Sequence, residues 1–91
     1  MSEPRSYRVQ FEPPAWDALM KLSHRLQEQV LRVIEALEIE PRPSGVVKLH
    51  DIQNTYRVRS GDYRVLYEIH DRELLVLVVE VGNRREVYKK R

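Results

Sequence analysis

The stretch YRVRSGDYRVLYEI, Tyr56 to Ile69, followed by ELLVLVVEVGNRREVY, Glu73 to Tyr88, constrains the fold more than any other part of the chain. Val, Tyr, Leu and Ile dominate it, and Ser60-Gly61 and Asp71-Arg72 interrupt it. That pattern predicts three antiparallel strands joined by two tight turns.

If Ser60 and Gly61 form a two-residue loop, Arg59 falls opposite Asp62, Val58 opposite Tyr63, Arg57 opposite Arg64 and Tyr56 opposite Val65. Side chains alternate between the faces of a sheet, so Tyr56, Val58, Tyr63 and Val65 share one face. Arg57, Arg59, Asp62 and Arg64 share the other. Like charges placed opposite each other weaken a sheet by up to about 1 kcal/mol, and an anion held between Arg57 and Arg64 would offset that cost. A solvated cationic face is the alternative. With Asp71-Arg72 as the second loop, Leu66 meets Leu77, Arg64 meets Val79, and Val76 and Val78 join Val65 and Tyr67 on the first face. The second face then carries apolar residues as well as arginines, which implies that a partner chain or the C-terminal tail covers part of it.

Upstream, Tyr7, Val9 and Phe11 alternate with Arg8 and Gln10, the pattern of a short strand at a sheet edge. Pro13 and Pro14 suit a helix's first turn, where the missing N–H would have no partner. Trp16, Leu19 and Met20 give that helix an apolar stripe. Ser23 is placed to cap a second helix, His24 to Glu40, whose face is Leu26, Val30, Val33, Ile34 and Leu37. The two helices read as a hairpin packed on the apolar side of the sheet. Pro41, Pro43 and Gly45 end the second helix and form a linker, with Val46, Val47 and Leu49 docking the loop and Lys48 free to reach the cationic face. The fold class is α+β: an N-terminal strand, a helix hairpin, then a three-stranded antiparallel meander forming one sheet with the helices on one face.

The 91 residues suit a single domain. No cysteine is present, which removes disulfides and thiolate metal sites and is compatible with a reducing compartment. No apolar run approaches the roughly 20 residues of a membrane span, and MSEPRSYR lacks the apolar core of a secretion signal, so a cytoplasmic protein is expected. Charge is unevenly placed: from Val81 on, Arg84, Arg85, Lys89, Lys90 and Arg91 stand against Glu86 alone. Such a patch favours phosphate or an acidic protein partner over a membrane surface. His24, His50 and His70 show no metal-ligand spacing, and His50-Asp51 has no third triad member in view. Glycine-rich phosphate loops, paired-carboxylate spacing and a nucleophile elbow are absent, so hydride transfer, nucleotide hydrolysis by the usual motif and acyl transfer lack support. What remains is arginines and a tyrosine where the last strand leaves the sheet, after Gly82, which permits a bend or bulge.

YRVRSGDYRVLYEI, VGNRREVY and the order strand, helix hairpin, Pro-rich linker, meander resemble the RelE/ParE superfamily of bacterial toxin–antitoxin toxins, and the RelE branch more closely. The resemblance covers nearly the whole chain, so residues 1–91 read as one RelE-like toxin domain. It implies a ribosome-dependent endoribonuclease that cuts mRNA without a metal or other cofactor. It also implies a cognate antitoxin as partner, contact with operator DNA only through the toxin–antitoxin complex, and no membrane. By the same resemblance the catalytic candidates are Arg64, Arg84, Tyr88 and Arg57. Arg64 and Arg84 would act on the scissile phosphate, Arg57 as second cation or leaving-group acid, and Tyr88 as base or as a stacking ring. Arg59, Lys48, Arg85 and Lys89 are the RNA-binding candidates. Two other functions fit the same scaffold: a ParE-like inhibitor of DNA gyrase, and an RNA-binding module without chemistry.

Overall fold

The computed structural model describes residues 6–83. They form β1 (Arg8–Phe11), α1 (Pro13–Met20), α2 (His24–Ala36), β2 (Val47–Lys48), β3 (Thr55–Ser60), β4 (Tyr63–His70) and β5 (Leu75–Asn83). The five strands make one sheet in the order β1-β5-β4-β3-β2. β1 runs parallel to β5 at the edge, as its place in the sequence suggests, and the other pairs are antiparallel. β2 was not foreseen. Val47 and Lys48 lie in a stretch expected as loop, and they pair with Arg57 and Tyr56 respectively.

The helices cover one face, α1 over β5 and α2 over β3. Between helices and sheet lies one core of Ala15, Leu19, Val30, Ile34, Leu37, Tyr56, Val58, Val65, Tyr67, Ile69, Val76, Val78 and Val81. Burying each of its larger aliphatic side chains contributes about 2 kcal/mol. Pro13 and Pro14 open α1 as expected, but its buried residues are Ala15 and Leu19, while Trp16 and Met20 stay 45% and 41% exposed. An Ala at i and Leu at i+4 already fill the contact of so short a helix. The Trp16 ring turns instead edge-on to Phe11, with centroids 5.2 Å apart.

Ser23 caps α2, its hydroxyl accepting the Leu26 N–H at 3.3 Å. Val30, Ile34 and Leu37 face the core as the helical spacing predicts. The helix closes at Ala36 rather than Glu40: the N–H groups of Leu37 and Glu38 reach back only three residues, to Ile34 and Glu35, tightening the last turn.

Both meander turns differ from expectation. The β3–β4 loop is Gly61-Asp62, with Ser60 paired to Tyr63. Gly61 sits at φ +61°, the sign that a hairpin turn with Gly at its first central position requires. Arg59 therefore stands opposite Arg64, and Arg57 opposite Leu66. Moving the loop by one residue conserves the faces, so the division into an apolar and a cationic side stands. The β4–β5 connection takes four residues, from Asp71 to Leu74, with His70 paired to Leu75 and Leu74 at φ +51°. Arg64 then meets Gly82 rather than Val79, and Leu66 meets Glu80 rather than Leu77. A bulge between Leu66 and Tyr67 leaves one extra β5 residue, Val79, upstream of the glycine where the sequence suggested a kink. Among the described residues, no helix is long and apolar enough to cross a membrane.

Candidate nucleic-acid interface

The sheet face turned away from the helices carries the candidate site. Its strand positions follow from period-two alternation: residues paired across an antiparallel ladder share a face. One row across the sheet reads Arg59, Arg64, Gly82, and the next reads Val47, Arg57, Leu66, Glu80. Three guanidinium residues from two neighbouring strands thus occupy one end of one face. Strands lie about 4.8 Å apart and alternate residues about 6.6 Å apart, so the three Cα positions fit within the span of one or two nucleotide phosphates.

The environments of the three differ. Arg59 is exposed, Arg57 half-buried, and Arg64 only 6% exposed, beside Leu66 at 4%. The second face is therefore covered at its centre, as its apolar content implied. An arginine keeps its charge when buried and presents a planar fork, so Arg64 is suited to hold an anion in fixed geometry. Arg59 and Arg57 are suited to meet one arriving from solvent.

Lys48 is not brought to this group. Its register opposite Tyr56 assigns it to the helix-facing side, at the edge strand, and Val47 takes the position beside Arg57. Arg84, Arg85, Tyr88 and Lys89 lie outside the described residues. Sequence reasoning passed over Glu80, which shares the arginine face. The signal was available: Val76, Val78 and Val81 are all core residues, and they can share a face only if one residue between them is extra.

A clamp at the opposite end of the sheet holds the meander that carries the arginines. The Arg42 guanidinium donates to Asp71 through Nη1 at 3.3 Å and Nη2 at 2.9 Å, and through Nε to the Tyr56 hydroxyl at 3.1 Å. Tyr7 donates its hydroxyl proton to Asp71 at 2.7 Å, and Tyr67 donates to the Pro41 carbonyl at 2.7 Å. The Tyr56 and Tyr67 rings stack with centroids 6.0 Å apart. Linker, β1, β3, β4 and the β4–β5 turn are thereby tied together. The hydrogen bonds from Arg42 and then Tyr7 hold the Asp71 carboxyl below the usual range, while its bond to Asp71 raises the Tyr7 phenol. Burial raises the Tyr67 phenol further. Asp71 follows Arg64 by seven residues of strand and turn, about 23 Å if extended, so these groups brace the fold and do not touch an anion at the arginines. At the near end, the Ser60 hydroxyl donates to the Gln29 carbonyl at 3.4 Å and fixes the β3–β4 turn to α2. Among the described residues no group of three or more His, Cys, Asp or Glu is arranged to hold a metal ion.

A small α+β domain with arginines on the sheet face turned away from its helices is the class that these features define. A family model described as the ParE toxin of type II toxin–antitoxin systems, parDE, matches residues 7–88. Toxin RelG of Mycobacterium tuberculosis is 31% identical over 85 residues, covering 92% of this chain and 98% of the relative. The mRNA interferase toxin RelE of Escherichia coli is 33% identical over 88 residues, covering 91% and 90%. Among solved structures, the archaeal RelE–RelB complex from Pyrococcus horikoshii matches with a TM-score of 0.77 at 30% identity, covering 87% of this chain and 96% of the other. A RelBE toxin–antitoxin complex from Mycobacterium tuberculosis matches with a TM-score of 0.77 at 29% identity, covering 92% and 98%. The chain belongs to the RelE/ParE superfamily of type II toxin–antitoxin toxins.

Proposed function

We propose that this toxin is a ribosome-dependent mRNA endoribonuclease of the RelE kind, acting without a metal and neutralised by a cognate antitoxin. The observation that carries the reading is the grouping of Arg57, Arg59 and Arg64 at one end of the sheet face turned away from the helices. The name of the Escherichia coli relative, an mRNA interferase, points the same way. So do the solved complexes of RelE with RelB for an antitoxin partner. Residues 1–91 act as one toxin domain, and operator DNA is met only through the toxin–antitoxin complex.

The chemistry follows from the groups available. The ribose 2′-oxygen attacks the adjacent phosphorus, giving up its proton to a base. The bond from phosphorus to the 5′-oxygen breaks, and that oxygen takes a proton. Negative charge grows on the phosphorane oxygens between those steps, and fixed guanidinium groups stabilise it without reorganising. Arg64 takes the central position, with Arg84 joining it from the chain beyond Asn83 and Arg57 as second cation. Tyr88 serves as the base or stacks on a base of the mRNA. Arg59, Arg85 and Lys89 hold the flanking backbone.

A gyrase-inhibiting reading is favoured by one observation, the ParE description of the matching family model. The test has two arms. Purified toxin is assayed for cleavage of ribosome-bound mRNA and for inhibition of gyrase supercoiling, alongside Arg64→Ala and Tyr88→Ala. Cleavage lost in both variants, with supercoiling untouched, supports the nuclease. Inhibited supercoiling with intact mRNA transfers the chain to the gyrase class.

A further inference from the structure

The arginine face holds two carboxylates that no assignment above uses, Glu68, which lies 2.8 Å from His70 Nε2, and Glu80. On the reading that this face cleaves RNA, we propose that Glu80 is the catalytic base that takes the proton from the attacking 2′-hydroxyl.

The β5 bulge is what brings it there. Val76 and Val78 point into the core, and plain alternation would send residue 80 after them. That would bury a carboxylate among Val65, Tyr67 and the helices, at a cost of several kcal/mol. The extra residue at the bulge reverses the alternation, so Val81 enters the core at 5% exposure and Glu80 turns to the arginine face, half-buried. Bulges re-aim side chains in this way beside functional sites. Here the re-aimed group is a proton acceptor.

Its neighbours suit the task. Glu80 is directly opposite Leu66, which is itself opposite Arg57. Arg64 lies on the diagonal, two residues from Leu66 along β4, where Cα atoms are about 7–8 Å apart. Arg57, Arg64, Glu80 and Glu68 therefore stand around Leu66; Glu68 is engaged by His70, which leaves two cations for the phosphate and the Glu80 carboxylate for the hydroxyl beside it. The adjoining strands also carry the charged or titratable groups Glu68 with its partner His70 on β4 and Arg8 on β1, and just beyond β1 comes Glu12, whose N–H reaches the Val78 carbonyl. Carboxylates are among the side chains that serve as general bases in such proton transfers. With Glu80 as the base, Tyr88 is released to stack.

The step balances. The 2′-oxygen forms its bond to phosphorus as its proton passes to the Glu80 carboxylate. The bond to the 5′-oxygen breaks with its electron pair, and that oxygen is protonated from solvent. The products are a 2′,3′-cyclic phosphate and a 5′-hydroxyl, and Glu80 returns its proton to water.

The test is single-turnover cleavage of ribosome-bound mRNA by the full chain, its Glu80→Gln variant and Arg64→Ala. General base loss predicts a 10²- to 10⁴-fold slower cut by Glu80→Gln. The variant's mRNA retention on the ribosome and its melting temperature are unchanged. A parent that cuts alongside a Glu80→Gln variant that cuts equally fast overturns the assignment and leaves the nuclease standing. A parent that does not cut overturns both.

Discussion

Arg59 and Arg64 stand directly opposite each other across the β3–β4 ladder. Directly opposed like charges cost a sheet some tenths of a kcal/mol to about 1 kcal/mol. On the proposed reading, an RNA phosphate held at the mouth of this face, which already carries Arg57, offsets that cost. Arg59→Thr is accordingly expected to raise stability in urea melts by about 0.5 kcal/mol. The same variant weakens RNA retention and lowers the salt dependence of binding by close to one counterion. Stability and binding moving in opposite directions is the signature of a charge held for a ligand.

The clamp at the far end gives the fold a pH dependence. Asp71 titrates lower in the folded chain than in the unfolded one, so its contribution is present above the unfolded pKa of about 3.9 and fades as pH falls through the lower folded value. Tyr7 titrates higher when folded, so its contribution is present below about pH 10 and fades as pH rises through the raised value. Both partners of the Arg42–Asp71 pair are half-exposed, which limits the pair to about 1 kcal/mol or less. Asp71→Asn should lose that amount in denaturant melts at pH 7 and match the parent near pH 2.

Tyr67 is fully buried, and its hydroxyl satisfies the Pro41 carbonyl. Tyr67→Phe leaves that carbonyl without its donor and is expected to destabilise by about 1–2 kcal/mol, read from urea melts. The ring's packing on Tyr56 survives, so the loss isolates the linker's attachment.

Periodicity made the architecture legible and left the register open. Tyr56, Val58 and Val65 against Arg57, Arg59 and Arg64 declare two faces whichever residues turn the chain. Ser60-Gly61 and Gly61-Asp62 are both credible hairpin loops, and they give the same faces with different partners. Arg64 was therefore placed on the right face, but its neighbour across the strand was taken as Arg57. Trp16 and Met20 were misread because bulk outweighed geometry: a two-turn helix buries one narrow stripe, and Ala15 with Leu19 occupies it. β2 escaped notice because two residues carry no period. The bulge hid in VVEV, where the valines' need for one face was the clue, and Glu80 was hidden with it. The part of the site assigned to Arg84, Arg85, Tyr88 and Lys89 rests on resemblance, as those residues fall beyond Asn83.

The central claim is that the arginine face promotes attack by a ribose 2′-hydroxyl on mRNA in the ribosome. The most direct measurement is cleavage of programmed ribosomes by the full chain, comparing all-ribose mRNA with one bearing a single 2′-deoxy nucleotide at the mapped cut. The account predicts a 2′,3′-cyclic phosphate end on the ribose message and no cut at the deoxy position. A message cut equally well without that hydroxyl, or left whole in both forms, would contradict it.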